Sequence, residues 1–288
     1  MSNGGIALSL SKLSADDEIL NVFGKVFESY GADITRYKSA FIKRRLDRRM
    51  GILDIKDYSD YALVLKNERR EFEELFLSLS INVTNFFRDS IVYDNFRLFI
   101  TPKILSNLGQ SGKIRIWSAG CASGEEPYSI AIMFLNIIEK LNNFSVEIIA
   151  NDISKKAIEY AQNGRYPAKS IEKLPSDIIT KYFHKITGET DTEYGINPSI
   201  KSKITFRTCD ILSSDSKQID AIFCRNVLIY YEREAQELIL QKFHQCLRDG
   251  GYLVLGMDET MLGRKCEKLF FPVMARERIY QKVLPNSI

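Results

Sequence analysis

Three observations predict an α/β fold, a doubly wound Rossmann-like domain preceded by a small all-α one. Residues 114–130, Ile-Arg-Ile-Trp-Ser-Ala-Gly-Cys-Ala-Ser-Gly-Glu-Glu-Pro-Tyr-Ser-Ile, read as a buried strand, a small-residue loop and a helix, the opening unit of such a fold. Further apolar runs at 146–152, 204–207, 219–224, 250–256 and 279–283 read as strands separated by helical or turn segments. Ahead of them, residues 15–80 show only helical periodicity.

In the opening unit, Ile114, Ile116 and Trp117 close the strand, and Gly120, Ala122 and Gly124 take alternate places in the loop. Small residues let a ligand approach the backbone. Pro127 is placed to open the helix, because a first-turn residue needs no N–H donor, and Ile130, Ala131, Ile132, Phe134, Leu135 and Ile138 continue it at helical spacing. The plainer reading is a glycine turn that only packs helix on sheet. The loop is neither Gly-x-Gly-x-x-Gly nor followed by Lys-Ser/Thr, which disfavours a dinucleotide or P-loop site. Glu125 and Glu126 would repel a diphosphate. A nucleoside of little negative charge fits better, and S-adenosylmethionine, a sulfonium without phosphate, is the ligand expected.

With 40 basic and 37 acidic residues among 288, the net charge of +3 implies no global attraction to nucleic acid or membrane. No stretch reaches the apolar length of a membrane span. Met-Ser-Asn-Gly-Gly at the start has no basic segment followed by an apolar core, so no signal peptide is expected. Cys121, Cys209, Cys224, Cys246 and Cys266 are scattered, and His184 and His244 are the only histidines. Neither disulfides nor a metal site is expected, and the compartment is read as cytoplasmic.

In the helical region, Ile19, Val22, Phe23, Val26 and Phe27 form one apolar stripe, and Phe72, Leu75, Phe76 and Leu79 another. Between them, Ile42, Leu46 and Met50 align on one face, with Arg44, Arg45, Arg48 and Arg49 on an arc beside it. The arc is either a solvated face or a docking surface for an acidic helical partner or phosphate. Asn82-Val83-Thr84-Asn85-Phe86-Phe87-Arg88-Asp89 reads either as a capped turn with an aromatic anchor and a local ion pair, or as a linker laying polar groups over the ligand cleft. A helix through Tyr93, Phe96, Phe99 and Ile100 follows. Asp152 ends the second strand, where an acid accepts hydrogen bonds from ribose hydroxyls or merely caps the next helix. Residues 165–203 interrupt the alternation, with Tyr182–Ile186 read as a short antiparallel strand in an insertion. Asp210 follows the third strand, Arg225-Asn226 the fourth, and a helix spans 234–247.

Four separated stretches, 82–89, 117–130, 150–153 and 223–231 (Phe-Cys-Arg-Asn-Val-Leu-Ile-Tyr-Tyr), resemble the chemotaxis receptor methyltransferase family, the CheR type. The resemblance implies a monomeric, cytoplasmic S-adenosylmethionine-dependent enzyme that methylates glutamate side chains of methyl-accepting chemotaxis receptors and releases S-adenosylhomocysteine. It implies a helical receptor-docking domain at 1–80, a linker at 81–92 that contributes to the cofactor site, and a methyltransferase domain at 93–288 with an antiparallel insertion at about 183–203. Asn82, Thr84, Arg88, Glu126, Asp152, Asp210, Ile211, Arg225 and Asn226 would bind the cofactor. Arg88 and Tyr230 would act near the methyl group, and Arg44, Arg45, Arg48 and Arg49 would dock the acidic receptor bundle. Ser118 stands where many methyltransferases carry an acid before the glycine loop. The competing readings are a methyltransferase for another substrate, such as nucleic acid, and a non-catalytic signalling adaptor that binds S-adenosylmethionine.

Overall fold

The computed structural model describes residues 15–30, 33–79, 84–141, 143–187, 192–261 and 265–284, so residues 1–14 and Asn82 lie outside the described residues. The chain divides into two compact units, Met1–Leu79 and Ser80–Ile288.

The described residues of the first unit pack as four helices, α1 (Ala15–Ser29), α2 (Ser39–Ile52), α3 (Tyr58–Asn67) and α4 (Arg69–Leu79). Phe23 and Phe27 of α1, Leu46 of α2, Tyr61 and Leu65 of α3 and Leu75 of α4 are fully buried, whereas Val22 is 46% exposed, so the first stripe is narrower than its sequence suggests. Phe41, Ile42, Leu46 and Met50 form the buried face of α2. Asp57 starts α3 by accepting from the backbone N–H groups of Ser59 and Asp60 at 2.7 and 3.3 Å, a side-chain N-cap.

The four-arginine arc is corrected. Arg44 and Arg48 are exposed, and the Arg45 guanidinium lies 5.3 Å from the centre of the Phe41 ring. Arg49 turns inward, donating from Nε and Nη2 to the two carboxylate oxygens of Glu71 at 2.9 and 2.5 Å. Glu71 is 6% exposed and also accepts from the Tyr61 hydroxyl at 2.7 Å. A buried carboxylate demands such partners, so Arg49 serves the core.

The second unit begins with α5 (Ser90–Asn95), which continues through a π turn at Phe96–Ile100 into α6 (Thr101–Leu108). Ser90 therefore starts the helix inside the expected 81–92 linker. The wide turn shifts the helical phase, burying Phe96 and Ile100 and leaving Phe99 54% exposed. There follow β1 (Gly112–Ala119), α7 (Glu125–Ile138), β2 (Phe144–Asp152) and α8 (Lys155–Asn163). Next come β3 (Arg165–Pro167), α9 (Ala168–Ile171), α10 (Ser176–Tyr182), β4 (Phe183–Thr187), β5 (Thr192–Ile196) and α11 (Pro198–Lys201). The chain ends with β6 (Ile204–Thr208), β7 (Ile219–Cys224), α12 (Arg233–Cys246), β8 (Leu247–Leu255), β9 (Phe270–Met274) and β10 (Ile279–Lys282).

Among the described residues, seven strands form one sheet in the order β6-β2-β1-β7-β8-β10-β9. The first five are parallel, and β10 runs antiparallel to both neighbours. All six residues of β7 are buried, as expected of a central strand covered on both faces. The sequence reading missed β9, whose Pro272 argues against a strand interior; β9 is an edge, where proline is tolerated. The insertion forms a second sheet, β3-β5-β4. Its first strand is Arg165–Pro167 and its last Thr192–Ile196, so the antiparallel sheet begins well before residue 183 and ends before 203. Among the described residues no helix is long and apolar enough to cross a membrane.

The buried Arg49–Glu71 pair gives the first prediction. Arg49→Ala should destabilise the helical unit by about 3–5 kcal/mol, because it strands a buried carboxylate. Arg44→Ala should stay within about 0.5 kcal/mol. Urea unfolding followed by circular dichroism distinguishes the two.

Candidate active site

The carboxyl ends of β2, β1, β7 and β8 are tied together by side chains that reach from one strand end to the next. At β1, the N–H groups of Gly120 and Cys121 both donate to the Asn151 carbonyl at 2.9 Å. Ala122 N–H donates to Asp152 Oδ2, and Ser154 N–H to Asp152 Oδ1, each at 2.9 Å. Asp152 is 7% exposed, so it both shapes the loop after β1 and presents a carboxylate at the end of β2. Asn151 extends the ties, accepting from Trp117 Nε1 at 2.6 Å and donating to the Cys209 carbonyl at 2.9 Å, just beyond β6.

The loop is as tight as its small residues suggest. A Cβ on Gly120 would lie 2.6 Å from a methyl carbon of Val227, which brings the loops after β1 and β7 into contact. Gly124, at φ +97°, caps α7. The helix thus begins two residues before Pro127, which still lies in the first turn, where backbone N–H groups have no partner within the helix.

Ser118 lacks the acid many related loops carry, and Glu126 supplies one from α7: its Oε1 accepts from the Ser118 hydroxyl at 2.7 Å. Burial pushes the Glu126 carboxyl above its ordinary pKa, partly opposed by the nearby Arg225 and by the Ser118 hydroxyl. Its neighbour Glu125 is buried, accepting from Ser123 Oγ at 2.7 Å. Burial also raises the Cys121 thiol, which keeps it protonated and unreactive.

The 84–89 segment is held against this floor. The Phe87 N–H donates to Ser129 Oγ at 2.8 Å, and that hydroxyl donates to the Glu125 carbonyl one turn back at 2.7 Å. The Phe86 ring sits edge-to-face with Tyr166 of β3 and Phe183 of β4, at 4.9 and 5.3 Å between centroids. Arg225, 7% exposed, donates to the Arg88 carbonyl at 2.7 Å and to Asp89 Oδ2 at 2.5 Å, and its guanidinium lies 5.6 Å from the centre of the Tyr93 ring. Asp89 of the 82–89 stretch thus forms an ion pair with Arg225, from the end of β7. Phe87 and Asp89 take φ of +50° and +54°, Ala122 +46° and Asn226 +60°. Non-glycine residues in that region cost conformational energy, and their gathering here marks a shaped site.

Of the residues singled out from sequence, Glu126, Asp152, Arg225 and Asn226 converge on the strand ends, joined by Arg88. Asp210 caps the short turn Ile211–Ser213 beyond β6, accepting from Leu212 N–H at 2.7 Å, and Ile211 is buried. Tyr230 ends the turn Leu228–Tyr230 after β7 and is half-buried. Thr84 is half-buried at the start of the described linker. Asn226 Oδ1 is buried with no hydrogen-bond partner among the described residues, which is a place for a ligand donor. On its outer side the linker borders a 1240 Å3 cleft lined by Arg88, Asp89, Tyr93, Met133 and Leu174. Glu259, outside every motif recognised in the sequence, is also part of the site. It is 4% exposed and binds the loop after β7.

Comparison with known proteins agrees with this architecture. Residues 82–276 match the model of the CheR methyltransferase S-adenosylmethionine-binding domain, and residues 17–80 that of the CheR all-alpha domain. A chemotaxis protein methyltransferase of Borreliella burgdorferi is 32% identical over 89% of this chain and 92% of its own. One from Listeria innocua is 34% identical over 81% of this chain and 86% of its own. A 104.1 kDa protein of Rhodobacter capsulatus is 32% identical over 94% of this chain, which spans 27% of that longer protein.

The tight loop can be tested through its glycine cap. An alanine Cβ at Gly124 would sit 2.7 Å from the Ala161 Cβ, at a φ that alanine avoids. Gly124→Ala should cost about 1–3 kcal/mol. Gly51→Ala on α2, where nothing lies within 4 Å of the added carbon, should stabilise by about 0.5–1 kcal/mol. Scanning calorimetry should show melting shifts of opposite sign.

Proposed function

Because the chain belongs to the CheR methyltransferase family, we propose that it transfers a methyl group from S-adenosylmethionine to glutamate carboxylates of methyl-accepting chemotaxis receptors. The products are glutamate methyl esters and S-adenosylhomocysteine, and the reaction takes place in the cytoplasm on a monomeric enzyme. The observation that carries the reading is the polar set at the strand ends: the buried Asp152, the half-buried Glu126 and the buried, unpartnered Asn226 Oδ1. A nucleoside with a cationic amino-acid tail satisfies all three, whereas a diphosphate would meet two carboxylates.

Asp152 would hold the ribose hydroxyls, and Glu126 would face the cationic methionine portion. Asp210 and Ile211 would flank the adenine. Asn226 would accept from the ligand, and Asn82, Thr84 and Arg88 would contact it from the linker, which Arg225 keeps in place. S-adenosylmethionine supplies a methyl group on a sulfonium. A glutamate side chain has a pKa of about 4.3 and is a carboxylate at neutral pH, so it attacks without losing a proton. A carbon–oxygen bond forms, the sulfur–methyl bond breaks with its electrons to sulfur, and the sulfonium becomes a thioether. The site therefore needs alignment and exclusion of water, not a general base. Arg88, lining the outer cleft, orients the incoming carboxylate as a charge-assisted partner. Tyr230 packs near the transferred methyl. On the helical unit the exposed Arg44 and Arg48, with Arg45 beside them, dock the acidic receptor helices, while Arg49 is spent on Glu71.

Incubation with labelled S-adenosylmethionine and a chemoreceptor cytoplasmic fragment should place alkali-labile label on glutamate, and Asp152→Ala should abolish it. An unlabelled receptor despite calorimetrically proven cofactor binding would refute the reading. Arg88→Ala and Tyr230→Phe should each lower kcat; wild-type rates in both would remove them from the reaction centre. The raised Glu126 pKa sets a sign for pH. The cation binds the carboxylate form, so S-adenosylmethionine affinity should fall as pH drops through a midpoint above the ordinary value of about 4.3. Glu126→Gln should remove that part of the pH profile.

A further inference from the structure

Glu259 follows the end of β8 and is 4% exposed. Its carboxylate accepts from four backbone N–H groups. Gly256 at 2.6 Å and Asn226 at 3.0 Å donate to Oε2, and Val227 at 2.9 Å and Ile229 at 3.3 Å donate to Oε1. Three of the four belong to the loop after β7, which carries Asn226 and Tyr230. Gln236 of α12 holds the far end of that loop, donating to the Leu228 and Tyr231 carbonyls at 2.7 and 2.8 Å, so Glu259 is what holds its beginning. Asn226 sits at φ +60°, and the only regular structure before Tyr231 is the single turn Leu228–Tyr230. There is no slack at the junction: a Cβ on Gly256 would lie 2.6 Å from the Asn226 nitrogen and 2.9 Å from Glu259 Oε2. Backbone N–H groups aimed at one carboxylate stabilise its charge and fix their own directions.

We propose that Glu259 is a positioning residue for methyl transfer, holding the Asn226–Tyr230 backbone so that the Asn226 amide and the Tyr230 side chain are kept in place at the strand ends. The inference rests on the methyltransferase reading above. Glutamine keeps the length of the side chain but turns an NH2 group toward backbone donors, donor against donor, so the loop must shift. Aspartate keeps the charge and loses reach.

The test uses the full chain carrying Glu259→Gln and Glu259→Asp, with S-adenosylhomocysteine as calorimetric probe, receptor-fragment methylation kinetics, and hydrogen exchange read by segment. Glu259→Gln should lower kcat/KM for S-adenosylmethionine at least tenfold and leave the KM for the receptor fragment within twofold. Exchange should accelerate at 226–230 and at Gly256 but not across the sheet. Glu259→Asp should show a smaller loss of the same pattern. Where Glu259→Gln does not fold, Glu259→Asp decides. Wild-type kinetics, or faster exchange spread evenly over the unit, overturns the proposal. A wild-type chain that binds no S-adenosylhomocysteine and methylates no receptor refutes the underlying reading instead, whereas an active wild type with silent Glu259 variants refutes only the positioning role.

Discussion

The Arg225 guanidinium is the constraint on which the rest of the site depends. It lies buried at the end of a central strand and binds a backbone carbonyl and a carboxylate of the 84–89 linker. That linker has two left-handed residues, Phe87 and Asp89, on either side of Arg88. Each costs on the order of 1–3 kcal/mol, so the linker on its own would relax. Charge-assisted bonds from Arg225, the Ser129 hydroxyl under Phe87 and the burial of Phe86 between Tyr166 and Phe183 offset that cost. The antiparallel insertion thus braces the linker as well as standing at its own sheet edge, because two of its strands supply the rings around Phe86.

The same economy governs the acids. Glu126, Glu125 and Glu259 are all pushed above their ordinary pKa by burial. Buried carboxylates are expensive unless they find donors. Glu259 meets backbone N–H groups, Glu125 meets Ser123, and Glu126 has Ser118 with Arg225 nearby. Under the proposed reading, Glu126 is the carboxylate of these three that would face the cationic portion of S-adenosylmethionine. A site of this kind suits binding and alignment, which is what the proposed methyl transfer to an already ionised carboxylate would require.

Much of this was legible in the sequence because it rests on local signals. The Gly-x-Ala-x-Gly loop, Asp152 at a strand end and Arg225-Asn226 after a strand that is apolar but for Asp220 each sit next to an element with a clear apolar pattern. The failures depend on what the local pattern does not carry: a distant partner, a change of helical turn or the place of a strand in its sheet. Arg49 looked like its neighbours on α2 until Glu71 from α4 met it. Phe99 fits a helical stripe, but a π turn rotates it outward. Pro272 hides an edge strand. Glu259 carries no motif, since its partners are backbone N–H groups whose identity leaves no trace in side chains. The one available signal was an acid in a glycine-bounded turn after an apolar strand, which also describes many surface loops.

The most direct measurement is a crystal structure of the full chain with S-adenosylhomocysteine. The account predicts the ribose hydroxyls on Asp152, the amino-acid portion beside Glu126, and the 84–89 linker closed over the ligand with the Arg225–Asp89 pair intact. A ligand bound away from the carboxyl ends of β1, β2 and β7, or a linker released from Arg225 on binding, would contradict it.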